Sequence, residues 1–194
     1  MRRLIVIEYL SLDGVTQAPG HAQEDTGGGF AHGGWTGPFM ADHGRYMREA
    51  LNTMGALLLG RLTYDIWLPY WPKVTDPADE IARMLNGVPK YLASRTAQSG
   101  AWAPTTVIRD VPAEIPQLKQ QTGKDIVVMG SSELIQTLIR HDLVDEYRLM
   151  IHPVILGAGK RLFRDQAEMR ALQLVEAATT TTGLATLTYR LVAQ

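Results

Sequence analysis

Apolar positions along the chain follow two alternating rhythms. Unbroken runs at residues 4–7, 56–59 and 126–129 (LIVI, ALLL and IVVM) suit parallel strands buried on both faces. Between them the spacing turns helical. Met40, His43, Met47, Ala50 and Leu51 fall near one face of a helix over 39–53, and Ile81, Met84 and Leu85 near one face of 76–86. Leu134, Ile135, Leu138 and Ile139 do the same after residue 131. Shorter runs predict strands at 88–93, 105–108 and 144–151, and Pro112 suits the first turn of a helix over 111–121. Residues 172–179 and 184–192 alternate around Thr180-Thr181-Thr182-Gly183, the pattern of a hairpin. The reading is one α/β domain over residues 1–194: a mixed, mostly parallel sheet of about eight strands flanked by helices, with a C-terminal antiparallel hairpin. At the start, Arg2 and Arg3 precede a short apolar run, but Glu8 interrupts it, so the segment reads as a first strand and not as a signal peptide.

The stretch DIVVMGSSELIQTLI, residues 125–139, is a strand, a Gly and a helix in direct succession. Gly130 lets a ligand approach the backbone, Ser131 or Ser132 can cap the helix, and Glu133 stands in its first turn. Free N–H groups and the helix dipole there favour an anion such as a phosphate, although an ordinary βα connection has the same letters. Gly60-Arg61-Leu62-Thr63 repeats the layout with a guanidinium fork and a hydroxyl added. Ser94-Arg95-Thr96 follows the next strand, again where parallel sheets bind ligands. Two such junctions in one sheet can grip a pyrophosphate from both sides.

Between the first strand and about Pro38 lies a loop far longer than usual. Seven Gly from Gly14 to Gly34 loosen it, while Phe30 and Trp35 give it apolar anchors, so it reads as a lid over a pocket or as a flexible excursion.

Composition narrows the chemistry. Hydrophobic residues at 45%, charged residues at 20% and a net charge of -1 describe an ordinary globular protein, without the electrostatic footprint of a nucleic-acid or membrane-surface binder. No segment nears the roughly 18 apolar residues of a membrane helix. With no Cys there is no thiolate metal site, disulfide or thiol nucleophile, and a cytoplasmic location fits best. The five His form no short-range metal pair, so no metal is expected. G-x-S-x-G and G-x-G-x-x-G are both missing. Gly157, Gly159 and Lys160 invite a P-loop reading, but Val154 and Arg161 stand where Gly and a hydroxyl residue are needed.

LLLGRLTYDIW, YLASRT and VVMGSSELIQTLI, in this order after SLDG and followed by LVDEYRLMIHPVILGAGKRLF, resemble the dihydrofolate reductase superfold. The chain is more similar to the reductase domain at the C-terminus of the bifunctional riboflavin-biosynthesis deaminase-reductase and its stand-alone relatives. That resemblance implies NADPH as cofactor. It places Gly60, Arg61 and Thr63 at the pyrophosphate and adenosine side, and Ser94, Arg95 and Thr96 at the 2′-phosphate. Gly130, Ser131, Ser132 and Glu133 fall at the second phosphate-facing helix start, where many relatives have Gly in place of Ser131. Asp13 and Gly14 match the turn near the nicotinamide, and residues 27–35 take the place of the active-site lid. As candidate catalytic carboxylates the resemblance offers Asp13 and Asp42, against plain readings as a turn former and a solvated helix-start acid. The spacing from Pro38 to Asp42 is two residues longer than in dihydrofolate reductases, which argues against folate. No zinc-bearing deaminase segment precedes the domain, which implies a reductase acting alone or adapted to another small heterocycle or carbonyl compound. A non-catalytic nucleotide-binding or sensor module is the alternative. Small-molecule substrate, no nucleic acid or membrane partner, and a homodimer through the terminal strands and 152–163 complete the expectations.

Overall fold

In the computed structural model, which describes residues 1–164 and 169–192, eight strands form one sheet in the order β4-β3-β2-β5-β1-β6-β8-β7. Strands β1 (Leu4–Ser11), β2 (Met54–Gly60), β3 (Lys90–Ala93), β4 (Thr105–Ile108), β5 (Asp125–Met129) and β6 (Glu146–His152) run parallel. β7 (Leu172–Thr179) and β8 (Ala185–Leu191) form the hairpin, with β8 antiparallel to both β6 and β7. This is the α/β architecture expected from the pattern. Of the 1–194 span read as one domain, residues 165–168 and 193–194 lie outside the described residues.

The unbroken apolar runs follow from helices on both faces. Leu4, Val6, Leu58, Ile126 and Val128 point to the side covered by α4 (Val111–Gln120) and α5 (Ser132–Arg140), where they meet Ile115, Ile135 and Leu138. The intervening Ile5, Ile7, Leu57, Leu59 and Val127 point the other way, toward Met47 and Leu51 of α1 (Met40–Leu51), Tyr64 of α2 (Arg61–Trp67) and Leu85 of α3 (Glu80–Asn86). Alternate residues thus serve two cores, and no strand position in the centre can be polar without a reason.

Boundaries shift where capping chemistry intervenes. α3 starts at Glu80 and not near residue 76, because the Asp79 side chain accepts from the Ala82 N–H and caps it there, while Asp76 closes a turn with Ala78. The long loop carries its own small core of Val15, Ala18, Phe30 and Trp35, with Trp35 Nε1 donating to the Gln17 carbonyl at 2.8 Å. It is a folded wall of the molecule. Among the described residues no helix is long and apolar enough to cross a membrane.

Candidate functional site

A cavity of about 500 Å³ opens where the carboxyl ends of β1, β2 and β5 lie side by side. In parallel α/β sheets this edge collects backbone N–H groups and helix starts, and ligands bind there. Ile7, Glu8 and Tyr9 of β1 form part of the cavity wall, and residues 16–20 with Glu24 and Asp25 bring the long loop against it. Trp67, Trp71, Ile81 and Leu85 line an apolar part.

The two strand-Gly-helix junctions meet at this cavity. Gly60, Arg61, Thr63, Gly130, Ser131, Ser132 and Glu133 all line it. The Gly60 N–H donates to Ser131 Oγ at 2.9 Å, so the second junction braces the first. A Cβ on Gly60 would stand 3.3 Å from the Ser131 Cβ, and one on Gly130 would stand 3.3 Å from Thr63 Cγ2. Gly130 has φ 57° and Ser131 φ 65°, two successive left-handed residues. That conformation explains why a Gly suits position 131. It also turns the Ser131 hydroxyl away from capping: the residue stands at the N-cap of α5 without a side-chain bond to it. Ser132 Oγ instead lies 3.1 Å from Thr16 Oγ1 and ties the loop to the junction. The first N–H groups of α5 therefore face the cavity region without a side-chain cap.

Charges at the rim are paired. Arg61 bonds Asp65 at 2.6 Å, Lys160 bonds Asp25 at 2.6 Å and Arg164 bonds Glu133 at 2.6 Å. The Arg164 guanidinium holds the Glu133 carboxyl below its ordinary range.

The remaining sequence-derived candidates lie outside the cavity lining. Ser94, Arg95 and Thr96 follow β3, whose Ala93 pairs with Gly60 of β2, so they sit on the same sheet edge one strand away. Ser94 Oγ accepts from the Thr96 and Ala97 N–H groups, shaping the turn, while Arg95 is exposed and makes no ion pair among the described residues. Asp13 accepts from Ser11 Oγ at 2.7 Å, Leu156 N at 3.1 Å and Gly157 N at 2.9 Å. These donors, the Ser11 hydroxyl foremost, hold its carboxyl down to about 2 and spend it on pinning the turn to residues 156–157. Gly14, with φ 81°, serves the same turn and donates to the Ser11 carbonyl. Asp42 stands in the first turn of α1 and accepts from the Thr182 hydroxyl of the β7–β8 turn. Neither carboxylate lines the cavity, because each is engaged by a neighbouring loop.

The cavity also holds residues that sequence reasoning passed over. Lys160, considered only for a P-loop, reaches the wall from the 157–160 turn. His43, counted as an apolar-face residue, lies with its Nε2 at 2.9 Å from His152 Nε2, stacked on Tyr9 at 4.5 Å between ring centres. His152 Nδ1 lies 3.1 Å from the Leu10 and Met150 carbonyls, so Nδ1 carries the proton and His43 Nε2–H donates to His152. Burial first, and His152 second, hold His43 down to about 4, which keeps the pair uncharged. Glu8 is the least expected. It is 4% exposed, its Oε1 is enclosed without a hydrogen-bond partner, and it lines the cavity. A lone acid amid LIVI and YL was the available signal.

A family model described as the RibD C-terminal domain matches residues 2–186. The chain belongs to the RibD C-terminal domain family. It is 37% identical over 143 residues to the uncharacterised protein YyaP of Bacillus subtilis, covering 73% of this chain and 76% of YyaP. In fold it is similar to a candidate riboflavin biosynthesis protein from a Shewanella species (TM-score 0.68, 19% identity, 99% of this chain and 100% of that one). It is also similar to the diaminohydroxyphosphoribosylaminopyrimidine deaminase/5-amino-6-(5-phosphoribosylamino)uracil reductase of Thermotoga maritima (TM-score 0.62, 14% identity, 98% of this chain and 57% of that one). The RibD C-terminal domain match and both structural likenesses extend over nearly the whole chain.

Proposed function

We propose that this RibD C-terminal domain is an NADPH-dependent reductase that delivers a hydride to a small heterocyclic or carbonyl compound. The observation that carries the proposal is the convergence of the Gly60 and Gly130 junctions on one cavity, packed so closely that a Cβ on either Gly would stand 3.3 Å from a side chain of the other junction. The residues present fit a nicotinamide dinucleotide. The uncapped start of α5, whose Ser132, Glu133 and Leu134 line the cavity, offers N–H donors to a pyrophosphate. In this reading Gly60, Arg61 and Thr63 face the pyrophosphate from one side and Gly130, Ser131, Ser132 and Glu133 from the other. Arg95, which makes no ion pair among the described residues, meets with Ser94 and Thr96 a 2′-phosphate beyond the cavity lining. When bound, the cofactor supplies the hydride. The protein's part is to orient, to exclude water and to keep the acceptor against that face; Trp67, Trp71 and the loop wall at residues 16–20 serve it.

One observation favours a non-catalytic nucleotide-binding module instead: Asp13 and Asp42, the candidate catalytic carboxylates, are both engaged outside the cavity. Titrating NADPH and NADH while following nicotinamide fluorescence, then following absorbance with aldehydes, quinones, pterins and pyrimidines, separates the two. Binding with oxidation supports the reductase, binding without it the module, and no binding removes both.

A second copy of the chain is the proposed partner. β7 is exposed along its whole length and presents Leu172, Leu174 and Val175 at the sheet edge. Sedimentation should give a dimer, and Leu174→Glu a monomer.

A further inference from the structure

Glu8 occupies an unusual position. It lies in the centre of β1, in register with Leu149 of β6 and one residue past the last β1–β5 pair, Ile7 with Met129, and the β1 residues Leu4, Ile5, Val6, Ile7 and Leu10 around it are apolar. Its carboxyl reaches the cavity, yet Oε1 has no donor and no cation pairs with it among the described residues. The nearby cations are spent: Lys160 on Asp25, Arg61 on Asp65 and Arg164 on Glu133. His43, from α1, is held neutral by its burial and by His152. Tyr9 is its chain neighbour, and Glu24 of the long loop is a second acid on the same wall. An ionised carboxylate in such a place would be a buried charge with nothing to balance it. A carboxylic acid is not penalised in this way, and it has a proton to give.

We infer that Glu8 is the hydrogen-bond donor of the cavity, a carboxylic acid that selects a neutral ligand presenting an acceptor atom over a cationic one of the same shape. Burial, and after it the repulsion of Glu24, push the Glu8 carboxyl well above the ordinary carboxylate range, and the Gly130 N–H opposes them only in part. Such an acid donates at neutral pH where an ordinary Glu accepts. Resting on the reductase reading, the same group has a second role. Glu8 gives its proton to the carbonyl oxygen or imine nitrogen of the acceptor as the π pair moves onto that atom. The adjacent carbon takes the hydride of the reduced nicotinamide, which is oxidised, and Glu8, left as a carboxylate, regains a proton from water.

The test does not need the cofactor. A difference infrared spectrum of wild type against Glu8→Gln at pH 7 is expected to contain a carboxylic acid C=O stretch that disappears on raising the pH; a carboxylate band in its place overturns the inference. Benzamide and benzamidine, matched in shape, the first neutral with an acceptor oxygen and the second a cation with donors only, are then titrated against the tryptophan fluorescence. Benzamide should bind wild type about tenfold more tightly than benzamidine at pH 7, with the order reversing above the Glu8 pKa. Glu8→Gln, which keeps a neutral donor, should hold benzamide and lose the pH dependence, with an unchanged melting temperature; Glu8→Ala should lose benzamide. Preference for benzamidine at pH 7 overturns the inference. Failure of the reductase reading looks different: NADPH does not bind, while the acid band remains.

Discussion

The two strand-Gly-helix junctions look alike in sequence and differ in backbone. Gly60 is extended, with φ -74° and ψ 162°, a conformation open to any residue; its side chain is missing because Ser131 stands 3.3 Å from where a Cβ would be. Gly130 is left-handed at φ 57° and leads into a second left-handed residue. One glycine is required by a neighbour alone, and the other by its own dihedral angle as well as by Thr63 Cγ2, 3.3 Å from where a Cβ would stand. The two sites therefore respond to different repairs: the first to trimming Ser131, the second only to a residue that tolerates a left-handed backbone.

The largest effect should come from Gly130→Val. A β-branched residue at that φ costs about 2–3 kcal/mol of stability, and the distorted turn should lower NADPH affinity at least about tenfold. Thermal unfolding with a fluorescence titration measures both, and a variant that melts and binds as wild type would remove the role given to this turn. Next, Arg95→Ala should weaken NADPH by roughly tenfold and leave NADH unchanged, since only NADPH has the extra phosphate. Equal losses for both would show that the cluster outside the cavity does not read it. Gly60→Ala should cost about 1 kcal/mol in wild type and close to nothing when Ser131→Gly is also present, a coupling that a double-mutant cycle isolates. Additive losses would mean that the contact between the junctions is not what excludes a side chain at 60. The smallest difference separates Ser131→Ala from Ser131→Gly. The first loses the bond from the Gly60 N–H, at about 1 kcal/mol. The second loses the same bond but relieves a left-handed strain of similar size, and should melt within a degree or two of wild type.

Much of the fold was readable because burial on both faces leaves a strand no freedom in composition. LIVI, ALLL and IVVM announce their place in the centre of the sheet, and the alternation at 172–179 announces a hairpin with an open face. The turn residues Gly60, Gly130 and Ser131 were readable for the same local reason, as breaks between two periodicities. Glu8, His43 and Lys160 were not. His43 and Lys160 leave the pattern of their segments undisturbed and Glu8 breaks an apolar run without disclosing why, and the chemistry of each depends on groups brought in from other segments: His152 for His43, Asp25 for Lys160, and Gly130 and Glu24 beside Glu8. Asp13 and Asp42 misled in the opposite sense, since an acid near a strand end looks catalytic until the loop that binds it is seen.

Local chemistry along the chain therefore determined the elements, their order and the two glycine turns, because apolar period, capping and backbone freedom act over a few residues. Tertiary packing decided which polar groups share the cavity, which pair off at its rim, and that Glu8 Oε1 is enclosed there without a hydrogen-bond partner among the described residues. Those outcomes depend on distances between segments far apart in the chain and on the loss of water around them, and neither is written in any short stretch of residues.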